Sequence, residues 1–223
     1  MALTPVVLAL NASGLATAQK VAAALGAQLH GREGRVAQPD AFFANALDHA
    51  RDLFAAGVPI VGVCASGILI RAVAPLLANK TTEPPVVSVS DDGAIVVPLL
   101  GGHHGANRLA RDIAVALGGT AAVTTAGDVS LGVSLDEPPQ GWALVNRLDA
   151  KDAMAALLAG GGATVLGDEK ATASWLADLP VGDAVRLTCA IAGRPRTGRR
   201  SSGVGCPRGQ AARHCACPQT RAF

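Results

Sequence analysis

No run of apolar residues in this 223-residue chain approaches the roughly 20 that a bilayer span needs. Half the residues are hydrophobic, but the longest stretches, such as PIVGVC (59–64) and AIVVPLL (94–100), are short and broken by glycine or proline. A membrane-spanning reading is therefore excluded. The opening MALTPVVLALNASG lacks the basic start and small-residue cleavage pattern of a signal peptide, so a cytoplasmic location is expected. Cysteine is scarce: of five, Cys64 stands alone in the apparent domain, while Cys189, Cys206, Cys215 and Cys217 lie toward the C-terminus. No disulfide framework is suggested. The G-x-G-x-x-G dinucleotide fingerprint, the G-x-x-x-x-G-K-[ST] phosphate loop and the G-x-S-x-G elbow are all missing, which removes the commonest generic enzymes. Nothing repeats internally.

Acidic residues are also missing from one end. Between Arg194 and Phe223 there are seven arginines and no aspartate or glutamate, so the formal charge of +2 hides a mildly acidic body. This end has no apolar period. A basic nucleic-acid arm and a zinc site from Cys206, His214, Cys215 and Cys217 are both conceivable. Against them, Cys215-Ala-Cys217 is tighter than zinc spacing and the segment has no lysine. An unstructured or out-of-frame tail over 194–223 is the expectation, with no nucleic acid and no membrane among the partners.

What is present is an alternation of short apolar runs with amphipathic segments. This is the signature of an α/β fold, a mostly parallel sheet with helices on both faces, followed by a smaller α/β unit. Val6–Leu10 reads as a strand, and Leu15, Ala18, Val21, Ala22 and Leu25 share one face of a helix stopped by Gly26. A strand at 28–30, a helix from about 41 to 55, a strand at 58–64 and a helix from about 67 to 77 follow. PVVSVS and AIVVPLL flank Asp-Asp-Gly, a hairpin signal that makes one pair antiparallel. Another helix ends at Leu117. The first domain is expected over 1–128 and the smaller unit over 129–193.

Three strand ends carry polar residues. After VGVC, Ser66 is a plausible helix N-cap, and Ser66 with Gly67 can receive a carboxylate or phosphate. Cys64 is either a nucleophile stabilised by the helix dipole or a small buried residue. In GGHHGAN (101–107), His103 and His104 follow a strand and precede a helix. Adjacent histidines diverge and no ligand follows at helical spacing, so no metal is expected. General acid/base work suits them better, with Gly101, Gly102 and Gly105 letting a ligand approach the backbone; the alternative is a surface turn with Asn107 as a cap. Thr124, Thr125 and Asp128 follow the next apolar run. The three ends are expected to line one crevice, ringed by Arg71, Lys80, Arg108 and Arg111 and suited to a small polyanion.

The stretch Gly67–Asp128, with VSLGVSLDEPPQGWALVNRLDAKDAMAALLAGG after it, closely resembles the N-terminal and middle regions of the cobalamin biosynthesis CbiG family, the cobalt-precorrin-5A hydrolases. The resemblance implies opening of a ring lactone on a corrin precursor, with a two-carbon fragment leaving as acetaldehyde. It implies a polycarboxylate tetrapyrrole substrate that itself carries cobalt, and no cofactor in this chain. The family writes its turn Gly-His-x-Gly-Gly-Ala-Asn, so the stretch from Gly102-His103 to Asn107, GHHGAN, is one residue shorter and either His103 or His104 is the match. The compact form is similar to the type fused to a precorrin-3B C(17)-methyltransferase, which would begin near the tail. S-adenosylmethionine would be needed only with that domain, and the alternative role is non-catalytic corrinoid binding for it.

Overall fold

The computed structural model describes residues 3–80, 82–139, 141–167, 173–190 and 215–218, the side chains of His103 and 215–218 excepted. Contacts divide the chain into two units, Met1–Val123 and Thr124–Phe223.

In the first unit seven strands form one sheet in the order β3-β2-β1-β4-β5-β6-β7. They are β1 (Val6–Ala9), β2 (Gln28–Arg32), β3 (Ala41–Phe43), β4 (Ile60–Val63), β5 (Val86–Val89), β6 (Ile95–Leu100) and β7 (Thr120–Ala121). The first five are parallel. β6 runs antiparallel to β5, and β7 follows β6 in parallel. The expected hairpin turns at Gly93, whose φ of +75° supplies the left-handed backbone a tight reversal demands.

Strand residues alternate between two cores, as a pleat requires. Val7, Ala9, Val61, Val63, Val87, Val89 and Val96 meet Ala18, Val21 and Ala22 of α1 (Leu15–Leu25) and Ala106, Ala110 and Ile113 of α4 (Ala106–Leu117). Val6, Leu8, Ile60, Cys64 and Val86 face the other way, onto Ala50 and Phe54 of α2 (Ala46–Ala55) and Leu69, Ala72 and Val73 of α3 (Ser66–Val73). Burying one such Leu or Ile side chain contributes about 1.5–3 kcal/mol. Buried Ser88 donates its hydroxyl to the Cys64 carbonyl at 2.8 Å, so it carries no unsatisfied polar atom. Helix and sheet approach closely at Gly62, where a Cβ would fall 2.9 Å from Leu69.

Two helix boundaries correct the sequence reading. The helix expected from 41 begins at Ala46, because the Asn45 side chain accepts from the amides of Leu47 and Asp48. Ahead of it, the Asp40 carboxylate holds the Leu29 amide at 2.8 Å and Ala41–Phe43 pairs with β2. The helix expected to reach residue 77 ends at Val73, and a 3-10 turn over Ala74–Leu76 follows, since Pro75 has no N–H to continue the ladder.

The second unit has its own core around Val133, Leu135, Leu157, Leu176, Val185 and Leu187. Its elements are α5 (Ala126–Leu131), β8 (Trp142–Leu144), α6 (Ala150–Leu158), β9 (Ala163–Leu166), β10 (Val185–Cys189) and β11 (Cys215–Pro218). The sheet order is β8-β11-β10-β9, with β8 antiparallel to β11. A strand thus occurs within the arginine-rich end at Cys215–Pro218. The rest of that end, including Cys206 and His214 of the conceivable zinc set, lies outside the described residues, as do the side chains of Cys215 and Cys217. Among the described residues no helix is long and apolar enough to cross a membrane.

Candidate functional site

The chain leaves β1 for β2 and β3 on one side, then returns to β4 on the other. The carboxyl ends of β1 and β4 therefore flank a topological switch point, where open α/β sheets bind ligands. Asn11–Gly14 follows β1, Ala65–Gly67 follows β4, and Ser90–Asp92 follows β5. Ser13 Oγ donates to Asp91 Oδ2 at 2.7 Å, Thr17 Oγ1 donates to the Asp91 carbonyl at 2.6 Å, and Arg35 Nη1 donates to Asn11 Oδ1 at 3.3 Å. Gly14 has no room for a side chain: a Cβ there would lie 2.8 Å from Val63 and 3.0 Å from Asp91 Oδ1. Reading the sequence alone misses Asn11, Ser13, Arg35 and Asp91. The available signal is that Asn11, Ser13 and Asp91 closely follow strand ends.

At the same edge α3 begins with Ser66, but its N-cap is Ala65 and no side chain caps it. Ser66 is thus the first helical residue, not the expected cap. Arg71 folds back so that Nη1 donates to the Gly67 carbonyl at 3.1 Å, which places a guanidinium beside the first turn. Cys64 is buried and unbridged. Burial, and then the Asp91 carboxylate, push its thiol up to about 12. A thiol held there has almost no thiolate at neutral pH, which removes the nucleophile reading.

The histidine turn lies elsewhere. Since β6 is antiparallel to β5, pairing Val89 with Val96 and Val86 with Leu100, its end reaches the amino edge of the five parallel strands. Six strand residues separate the two edges by about 20 Å. There Gly101 and Gly105 have φ of +76° and +99°, and Gly102–His104 makes one 3-10 turn between them. The amides of His104 and Ala106 both donate to the Gly101 carbonyl, at 2.8 and 3.1 Å. Gly101 rests on Pro84 and Pro85, with no space for a Cβ.

Helix α4 starts at Ala106 with Gly105 as its cap and no side-chain capping bond. Asn107 is therefore not the cap: it is the second helical residue, 5% exposed. Its Nδ2 lies 3.8 Å from where a Gly102 Cβ would be, so Gly102 and Asn107 face one another. His104, Arg108 and Arg111 are exposed, as is Lys80 in the loop leading into β5. The side chain of His103 lies outside the described residues. The result is an exposed imidazole in a glycine turn, with two exposed arginines on the helix that follows, residue types able to meet carboxylates and exchange protons.

The single crevice expected from three strand ends is thus corrected. Ser66, Gly67 and the head of Arg71 belong to the carboxyl edge of the parallel strands, and His104, Asn107 and Arg108 to the opposite one; the reversal at Gly93 separates them. Thr124, Thr125 and Asp128 belong to the second unit, where Thr125 is the N-cap of α5 and its hydroxyl donates to the Asp128 carboxylate. Among the described residues no group of three or more His, Cys, Asp or Glu is placed to hold a metal ion.

Sheet order, switch point and glycine turns define an open α/β module of the kind that binds small ligands at its strand ends. Residues 48–128 match the family model described as Cobalamin synthesis G N-terminal. The match includes α3, the histidine turn and α4, and runs past Val123 into the second unit. Two curated relatives are named cobalt-precorrin-5A hydrolase. The protein from Priestia megaterium is 38% identical over 85 residues, 38% of this chain and 23% of its own length. That from Salmonella typhimurium is 40% identical over 98 residues, 44% of this chain and 27% of its own length. The matched stretch thus spans about a quarter of these relatives. A solved structure described as a cobalamin biosynthesis protein G homolog from Sulfolobus solfataricus is 17% identical, with a TM-score of 0.46, over 97% of this chain and 61% of that one.

Proposed function

We propose that this chain acts in corrin-ring biosynthesis as part of a hydrolase of the cobalt-precorrin-5A type, opening a ring lactone with release of acetaldehyde. The observation that carries the reading is the turn Gly101–Asn107, a paired-histidine loop on the first turn of α4 inside the matched region. A corrin precursor bears several carboxylates. Arg108, Arg111 and the positive end of the α4 dipole are groups that would hold them.

In the proposed reaction one histidine of the turn accepts a proton from water as its oxygen bonds to the lactone carbonyl carbon. Arg108 stabilises the oxyanion, the ring C–O bond breaks, and the imidazolium returns the proton to the departing oxygen; the freed carbinol then leaves as acetaldehyde as its C–C bond to the ring breaks, its O–H proton being replaced by one on the ring carbon. Cobalt arrives with the substrate and takes no place in this step. Gly102 and Gly105, lacking side chains, leave the backbone open to a large planar ligand.

Titration of the chain with cobalt-precorrin-5A, followed by an acetaldehyde assay, tests the proposal. Binding with release supports it. Tight binding without release supports instead a corrinoid-holding part for a fused or partner methyltransferase, and absence of binding removes both readings.

A further inference from the structure

Away from both strand-end edges, β2 and α2 are joined by two imidazoles. His30 Nδ1 lies 2.9 Å from His49 Nε2, and Phe43 of β3 stacks on the His49 ring at 4.8 Å and 11°. On its far side, His30 Nε2 lies 3.4 Å from Gln28 Oε1. In the neutral pair a single N–H stands between the two facing nitrogens, carried by His30 Nδ1 or His49 Nε2 according to the tautomer. One added proton still leaves a single N–H between the two facing nitrogens. A second sets two donors against each other and abolishes the bond.

The surroundings favour the neutral pair. Burial holds both rings below the usual histidine range, and His49 pushes His30 down further. Asp40, just before β3, and Asp52 on α2 draw them up, without overcoming burial. Asp40 is engaged by the Leu29 amide, and Arg51 on α2 is paired with Asp48 at 2.8 Å. Arg32 lies two residues along β2 on the His30 face. β1 brings no charged residue, and Arg71, the one charged residue of α3, turns to the Gly67 carbonyl.

We propose that His30 and His49 form a proton-operated latch, the neutral pair clamping α2 to β2 and double protonation releasing it. Helix α2 packs against α3, so release of the latch reaches the helix that starts at Ser66. The inference is independent of the proposed function.

Hydrogen exchange of the 46–55 amides, corrected for intrinsic rates, tests it on the whole chain. Protection falls several-fold from pH 7.5 to 5, while β4 and β5 amides hold theirs. His49→Gln, which keeps a hydrogen-bonding group at this position but cannot titrate, removes most of this pH dependence. Imidazole 15N resonances of the unsubstituted chain give a second readout that needs no variant: His30 and His49 titrate below the ordinary range and in a coupled manner. Equal α2 protection at both pH values, the same pH dependence in His49→Gln, or two independent ordinary titrations would each overturn the latch.

Discussion

Gly101 lies directly against Pro85: a Cβ on Gly101 would fall 2.7 Å from both the Cα and the N of Pro85. The contact joins the end of β6 to the chain entering β5, so it fixes where the histidine turn departs from the sheet. Gly101 also has φ of +76°, leaving two reasons against any side chain.

Gly101→Ala is therefore expected to cost about 2 kcal/mol or more, combining a left-handed backbone penalty of about 1–2 kcal/mol with a backbone collision. Gly26, with φ of +58° and nothing within 4 Å of its would-be Cβ, isolates the first contribution. Urea unfolding of Gly101→Ala and Gly26→Ala should show the larger loss at Gly101. Equal losses would mean that the Pro84–Pro85 contact does not constrain the turn.

Cys64 should resist alkylation in the folded chain. A thiol raised to about 12 from an ordinary value of 9.0 has about a thousandfold less thiolate at pH 8, and burial adds to the protection. Asp91→Asn retains an acceptor for Ser13 and removes the charge, so labelling of Cys64 should accelerate yet stay slower than in the unfolded chain. Mass spectrometry after timed iodoacetamide treatment reads both. Labelling of native Cys64 at the rate of a free thiol would contradict the buried placement.

Stability should decline as the solution turns mildly acidic. Because His30 and His49 are held below their unfolded value of 6.5, the fold prefers their neutral forms and unfolding takes up protons. Their contribution is complete above pH 6.5, falls as pH drops through that value, and levels off below the folded values. Asp92, lowered from 3.8 chiefly by Ser90 and the Ala94 amide, acts only further down the scale. Urea midpoints between pH 7.5 and 5 check the direction, and a rising or flat profile would contradict it.

Much of the fold is legible in the sequence because it is set locally. The runs around Val7, Val61 and Val87 read as buried strands, Gly26 stops α1, and Asp-Gly marks the reversal before β6. What is not legible is set by partners distant in sequence. The consequence of that reversal, that His104 and Ser66 end on opposite edges, follows only from the pairing of Val89 with Val96. Ser13 meets Asp91 across 78 residues and His30 meets His49 across 19, and neither has a local pattern. Phe42 and Phe43 read as part of a helix, although the cap that starts it later, Asn45, is a recognisable signal. Ser66 and Asn107 are capping residue types displaced into their helices by one and two positions, because Ala65 and Gly105 already have the cap backbone.

The most direct test of the central claim is the single-turnover rate of acetaldehyde release from cobalt-precorrin-5A by the chain and by its His103→Ala, His104→Ala and doubly substituted forms. Loss of the general base predicts a fall of about 10²- to 10⁴-fold in one single variant and in the double variant, with corrinoid still bound. An unchanged rate in the double variant, or no release by the unsubstituted chain, would contradict the claim that the turn after β6 supplies the base.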